Sequence, residues 1–237
     1  MIYTYVAPPL PSLSRWRRLY GRKKNLSCLR ALEYERLGQL RLVGPILDVG
    51  GGSNSLYRDL LPADAVYESI NIDPAIEPTY LIGPGGAFPV ADDSFPTCLC
   101  FNTLEHIYDA RFVIDEIHRV LAPGGVAHIT VPFIFRIHGH PDDYFRATPS
   151  WWRETLERAG FAEVELHPLI WGRYTSGANI SGYRGILRRL RFHLTHLADL
   201  AYARIAFAGG DGRYSGRRGE RICATSVGWF ISAKKQG

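Results

Sequence analysis

No apolar run in the 237-residue chain reaches bilayer-spanning length, which takes about 20 residues in a helix. Met1 to Pro11 has no basic segment leading into a long apolar core, so no secretory leader is expected there and the expected location is cytoplasmic. Cysteine is scarce. Cys28, Cys98, Cys100 and Cys223 have no zinc spacing, and Cys98 and Cys100, two apart in an expected strand, face one side as a buried reduced pair. No aromatic stacking platform follows a basic groove, which weighs against a nucleic-acid reader. The net charge of +5 admits an anionic partner without requiring one. The length suits one large domain with an elaboration.

What is present is organised around Pro45-Ile46-Leu47-Asp48-Val49-Gly50-Gly51-Gly52-Ser53-Asn54. Ile46 to Val49 reads as a buried strand. Three glycines break it, and Asn54 to Leu61 is expected to start a helix capped by Ser53 or Asn54. Such a turn lets a cofactor approach bare backbone. Tyr67 to Ile72 reads as a second strand ending in Asp73-Pro74, where an acidic residue would hold a ribose hydroxyl pair. A dinucleotide turn would have glycine at the position of Ser55. The acidic Asp48 suits a ligand with a cationic amino group better than a pyrophosphate.

Downstream, Phe88-Pro89-Val90-Ala91-Asp92-Asp93-Ser94-Phe95 precedes a strand over Thr97 to Phe101. The segment Asn102-Thr103-Leu104-Glu105-His106 follows. A helix is expected over Arg111 to Leu121, stopped by Pro123 and Gly124-Gly125, and then a strand from Val126 to Val131. Taken in order over residues 45–133, these motifs resemble those of class I S-adenosylmethionine-dependent methyltransferases of the type 11 kind. The resemblance implies an α/β fold: a doubly wound, mostly parallel seven-stranded sheet, Rossmann-like, with a helical C-terminal elaboration. It implies S-adenosylmethionine as cofactor, held by Asp48, Gly50, Gly51, Gly52, Asp73, Pro74, Phe88, Asn102 and Thr103. The family's acidic contact to the adenine amine falls here on Pro84 to Gly86, leaving adenine to backbone, Asp92 or another group.

Ile134 to Thr148 carries His138, His140, Asp142, Asp143, Tyr144 and Arg146 in one loop expected to overhang the reactive end of the sheet. The pattern resembles methyltransferases that modify sugars and polysaccharides. It implies O-methylation of a sugar or oligosaccharide hydroxyl, the alternatives being a phenolic or polyketide hydroxyl, or a non-catalytic or RNA-directed member of the fold. His138 is the expected general base with His106 as runner-up, Asp143 orienting the base. His140, Asp142, Tyr144 and Arg146 are the expected acceptor contacts. His138, His140 and Asp142 as a divalent-metal site is the less favoured reading, so no metal is expected.

The expected organisation is a single methyltransferase domain over 1–237. It comprises an N-terminal arm and helix (1–44), a cofactor-binding core (45–168), a helical and loop insertion (169–225) and a closing strand (226–237). The basic stretch Trp16 to Lys24 is read as a solvated arm or flap. A helix is read over Leu29 to Leu42, another over Trp151 to Ala159, and a strand over Ala162 to His167. In Ile180 to Phe207 the positions Leu187, Leu190, Leu194, Leu197 and Ala201 form a helical seam. It could cover the substrate mouth, make a homodimer contact or rest peripherally on a membrane. Gly209 to Arg221, with five glycines and four arginines, is read as mobile.

Overall fold

The computed structural model describes residues 5–21, 26–139, 142–183 and 186–237. Its elements run α1 (Leu13–Gly21), α2 (Cys28–Leu37), β1 (Ile46–Val49), β2 (Tyr67–Asn71), β3 (Tyr80–Leu81), β4 (Phe95–Phe101), α3 (Ala110–Val120), β5 (Leu121–Pro132), α4 (Pro149–Arg158), β6 (Phe161–Leu169), α5 (Arg173–Ser181), α6 (Arg188–Ala206), α7 (Gly216–Cys223) and β7 (Gly228–Lys235). The strands form one seven-stranded sheet in the order β3-β2-β1-β4-β5-β7-β6. Neighbours from β3 through β5 pair in parallel. β7 runs against β5, because the Gly124 N–H donates to the Gln236 carbonyl at one end and the Phe133 N–H to the Val227 carbonyl at the other. The sheet is therefore mixed but mostly parallel, with flanking helices, as the sequence led us to expect. The order reverses beside β1, which puts a crevice outside the carboxyl ends of β1 and β4.

The chain divides into two compact units. One comprises Leu37–Val131, His138–Leu166 and Phe230–Gly237. Its central strands β1 and β4 are mostly apolar because parallel strands are buried on both faces. Ile46, Leu47, Leu99 and Ile129 are all fully buried, as are Ile114, Ile117 and Val120 of α3. Each such side chain stabilises the fold by about 1.5–3 kcal/mol. Asp109 starts α3 by accepting the Phe112 N–H. The end of α3 departs from expectation. Pro123 and Gly124 do not stop it, since Leu121 is already extended and belongs to β5. The Lys235 ammonium instead gathers the carbonyls of His118 and Leu121 at 2.9 and 2.8 Å, a favourable placement of a cation at a helix C-terminus.

The other unit comprises Met1–Arg36, Pro132–Ile137 and His167–Trp229. Several expectations change here. The basic arm is not loose: Leu13–Gly21 is a helix whose Arg15 is 3% exposed and donates to both Glu35 oxygens at about 3 Å. Arg22, Lys23 and Lys24 lie outside the described residues. α2 ends at Leu37 rather than Leu42, where Gly38 follows. The helix read over 180–207 is two: α5 ends at Ser181, followed by Gly182, whose φ of 59° no L residue adopts readily, and α6 begins at Arg188. The buried positions of α6 are His196, Asp199, Leu200 and Ala203, while Leu190, Leu194 and Leu197 remain about half exposed. The leucine seam thus does not face the core of its own unit. Gly209 to Arg221 is ordered by Tyr214, buried to 1%, whose hydroxyl donates to the Trp171 carbonyl at 2.9 Å, and by α7.

All four cysteines are buried and free, Cys98 and Cys100 as the alternation predicted. No described helix is long and apolar enough to cross a membrane.

Candidate active site

Three strand ends meet at the switch point. β1 ends in Gly50-Gly51-Gly52, with Gly50 at φ 86°. A Cβ there would collide with the Thr103 side chain; on Gly51 it would strike the Asp48 carboxylate, and on Gly52 the Ile76 carbonyl. The protein's own packing therefore demands all three glycines. The expected helix behind them is absent. Ser53 to Tyr57 makes turns, and only Arg58–Leu60 forms a short 3-10 helix without a side-chain cap. Serine and asparagine compete for backbone groups and favour turns. The gain is inward placement of Tyr57, which is 6% exposed.

Tyr57 belongs to a cluster that sequence reasoning missed. Asp48 is fully buried, and its Oδ2 accepts from the Tyr57 and Tyr67 hydroxyls at 2.6 and 2.5 Å. Arg58 lies 3.6 Å from the centre of the Tyr67 ring. Burial raises Asp48 to about 6, against the lowering pull of both tyrosines. Its Oδ1 is buried without a hydrogen-bond partner among the described residues. At the end of β2, Asn71 donates to the Gly51 carbonyl and accepts from the N–H groups of Ile72 and Asp73. Asn71 thus ties the second strand's turn to the glycine turn, a role legible only in retrospect from its place just before Ile-Asp-Pro. Asp73 caps a 3-10 turn over Pro74–Ile76 through Oδ1, accepting from the Ala75 N–H at 2.9 Å.

At the end of β4, Asn102 adopts φ 50° and Thr103 Oγ1 donates toward the Phe101 carbonyl at 3.2 Å. Phe88 is 5% exposed, and its N–H donates to Glu116 at 2.7 Å. Arg119 holds the whole 88–92 loop, donating to the Phe88 and Val90 carbonyls and to Asp92 at 2.6 Å. Asp92 is thereby engaged in an ion pair with Arg119.

The loop after β5 meets the end of β4. His106 and His138 rings lie edge to face with centroids 5.1 Å apart. His106 Nδ1 is 2.5 Å from the Asp142 carbonyl, and its Nε2 is 3.6 Å from Glu105, which is 1% exposed. His138 Nδ1 lies 3.3 Å from both Asp143 Oδ2 and Arg146 Nη2. Arg146 grips both Asp143 oxygens, and the His138 backbone N–H donates to the same carboxylate at 2.8 Å. Burial alone would raise Asp143; the hydrogen bonds from Arg146 and the His138 N–H outweigh it and hold the carboxyl at about 2. The Tyr144 N–H donates to the Glu105 carbonyl, and its hydroxyl to Asp142 at 3.2 Å. Tyr144 also packs against Tyr108, which is 85% exposed. His140 lies outside the described residues. Among the described residues the donor atoms that converge are those of Glu105, His106 and His138, within 4.8 Å of one another; the less favoured metal trio of the sequence reading includes His140 and so lies partly outside the described residues. Arg146 beside His138 disfavours a cation there.

A glycine turn, an acidic turn and a buried carboxylate at the switch point of this sheet define a cofactor-binding α/β domain. Residues 47–129 match the family described as a methyltransferase domain. An uncharacterized methyltransferase of Mycobacterium ulcerans is 36% identical over 93 residues, which are 35% of this chain and 36% of the relative. The chain thus spans about a third of the curated relatives it matches. Among solved structures, an S-adenosylmethionine-dependent methyltransferase from Mesorhizobium loti aligns with a TM-score of 0.55 at 16% identity, covering 88% of this chain and all of that one. The [4+2]-cyclase SpnF aligns at 0.54 and 14%, covering 98% and 99%. At such identities these two show the fold alone. Residues 47–129 are thus similar to a methyltransferase domain, and the cofactor this likeness implies is S-adenosylmethionine.

The residues present fit that cofactor. The unpartnered Asp48 Oδ1 is an acceptor suited to an ammonium group. Gly51 and Gly52 bring bare backbone to the same turn, and Asp73 keeps a second carboxylate oxygen for hydroxyls.

Proposed function

We propose that the chain is an S-adenosylmethionine-dependent O-methyltransferase whose acceptor is a sugar or oligosaccharide hydroxyl, with His138 as general base. The observation that carries this is the Asp143–His138 pair, 3.3 Å apart, with its carboxylate clamped by Arg146. The cofactor supplies an already activated methyl group, so the protein's part is to position the acceptor and take a proton. Asp143, held well below the usual carboxylate range, stays ionised 3.3 Å from His138 Nδ1; Arg146 Nη2 donates to that nitrogen here, and in the acting tautomer Nδ1 turns its own N–H to Asp143 instead. Nε2 of His138 then carries the lone pair that receives the hydroxyl proton, and Asp143 stabilises the imidazolium that results. The sugar reading draws on the polar set of Asp142, Tyr144 and Arg146 beside the exposed rings of Tyr108 and Tyr144, which offer an apolar surface to a sugar's C–H face.

A second base has its own observation. The Asp142 carbonyl at 2.5 Å holds the proton of His106 on Nδ1, leaving Nε2 as acceptor. The two are separated by single variants. His138→Ala should keep cofactor affinity, measured by calorimetry, and lower turnover on a hydroxylated acceptor by about 10²–10⁴. Near-normal turnover in His138→Ala together with a collapse in His106→Ala transfers the role to His106. Screening sugars, phenols and polyketide alcohols with radiolabelled cofactor tests the acceptor class, and label confined to the phenols would refute the sugar.

A further inference from the structure

The helical unit holds a cavity of about 600 Å³ that the methyl-transfer reading does not use. It is lined by Arg173, Tyr202, Arg217, Arg218, Arg221, Ile222 and Thr225, four guanidiniums and no carboxylate. Among the described residues none of the four enters an ion pair. The one buried carboxylate of α6, Asp199, is committed elsewhere, accepting the Tyr174 and Thr175 N–H groups at 2.9 and 2.8 Å. Arg217 and Arg221 stand four apart on α7, a spacing at which like charges repel. Two of the arginines are already positioned. Arg173 lies 5.5 and 5.8 Å from the ring centres of Tyr174 and Tyr202, a cation–π arrangement that orders its head group. Arg218 donates to the Ala206 carbonyl at the end of α6.

Asp199 lies within electrostatic reach of Arg173 alone among the four; four clustered cations with no ion-pair partner among the described residues are balanced best by a ligand that brings several anionic oxygens. Guanidinium forks match phosphate in pairs of parallel hydrogen bonds. The volume exceeds what a bare ion needs and falls in the range of small-molecule sites. Tyr202 and Ile222 supply an apolar wall for an attached organic group. We infer that this cavity binds a phosphate-bearing ligand, a phosphomonoester or pyrophosphate group carried by a small molecule or by a lipid headgroup. The inference stands independently of the acceptor and of the base assigned above.

The full chain is titrated calorimetrically with inorganic pyrophosphate at low ionic strength. Separately it is sedimented with phosphatidylcholine vesicles made with and without phosphatidic acid. The cavity variant is Arg217→Gln/Arg221→Gln, both exposed and free of structural hydrogen bonds among the described residues. Arg188→Gln/Arg189→Gln, on the exposed start of α6, is the control of equal charge. Pyrophosphate affinity should fall at least about tenfold in the cavity variant and little in the control. S-adenosylmethionine binding, measured alongside, should be unchanged in both, which certifies the fold and separates this result from the methyltransferase reading. Arg173→Gln provides a second cavity variant should the double one misfold. Pyrophosphate binding without vesicle recruitment assigns a soluble ligand. Recruitment by phosphatidic acid that the cavity variant alone abolishes assigns a headgroup. Equal losses in cavity and control variants, or no pyrophosphate binding by the parent chain, overturn the proposal.

Discussion

Replacing Asp48 with asparagine removes a carboxyl that burial holds at about 6 in the folded chain, against an ordinary 3.8. The folded state thus binds this proton about two powers of ten more tightly than the unfolded state, and each is worth about 1.4 kcal/mol. Between about pH 4 and pH 6 the folded chain holds more protons than the unfolded one, so stability falls as pH rises through that window. Above it the buried charge costs the fold about 3 kcal/mol. Asparagine has no such dependence, and whatever it loses in hydrogen bonding to Tyr57 and Tyr67 is the same at every pH. Urea unfolding of both proteins at pH 4, 5, 6 and 7 checks the reasoning. The stability of Asp48→Asn minus that of the parent should climb by about 2 kcal/mol across the series, the remainder of the ~3 kcal/mol lying below pH 4. A flat difference would mean that Asp48 titrates as an ordinary carboxyl and that its burial carries no charge penalty.

Gly51→Ala should destabilise by about 1–3 kcal/mol and weaken cofactor binding, because the new methyl meets a carboxylate walled in by two tyrosines; unchanged melting and affinity would show that the turn can shift. Asp143→Ala should cost about 3 kcal/mol in urea unfolding near neutral pH by stranding Arg146, whose side chain is 19% exposed. Glu154→Ala, which breaks the exposed pair with Arg158, should stay within about 0.5 kcal/mol. Because Asp143 lies below the ordinary carboxyl value, its contribution is present above about pH 4 and is lost as pH falls toward 2. Asp73→Ala should lower S-adenosylmethionine affinity by about 1–3 kcal/mol by calorimetry, and an unchanged affinity would remove Asp73 from the cofactor site.

The alternation of strands and helices over 45–133 was legible because the strands are short, apolar-rich runs closed by a glycine, an acidic turn or an asparagine. Local spacing also carried the glycine turn and the acidic end of β2. The absent helix after Gly52 was not legible, since asparagine and serine serve a turn as well as a cap. Leu190, Leu194 and Leu197 have the period of a packed seam, yet the buried face of α6 is the one with His196, Asp199 and Ala203. Periodicity identifies a helix and does not say which of two faces meets the core.

By itself, then, the sequence determined the α/β class, the order of the cofactor motifs and the loop in which His138, Asp143 and Arg146 sit close enough in the chain to meet. Tertiary structure decided the rest. His106 and His138 are 32 positions apart and meet because β4 and β5 are neighbours in the sheet. Tyr57 and Tyr67 converge on Asp48 because the chain between β1 and β2 turns inward instead of coiling. The arginine cavity draws on α5, α6 and α7, with Arg217, Arg218 and Arg221 in a stretch whose glycines suggested mobility. In each case the decisive contact joins residues that no local period relates, and only the pairing of strands and the packing of helices sets their distance.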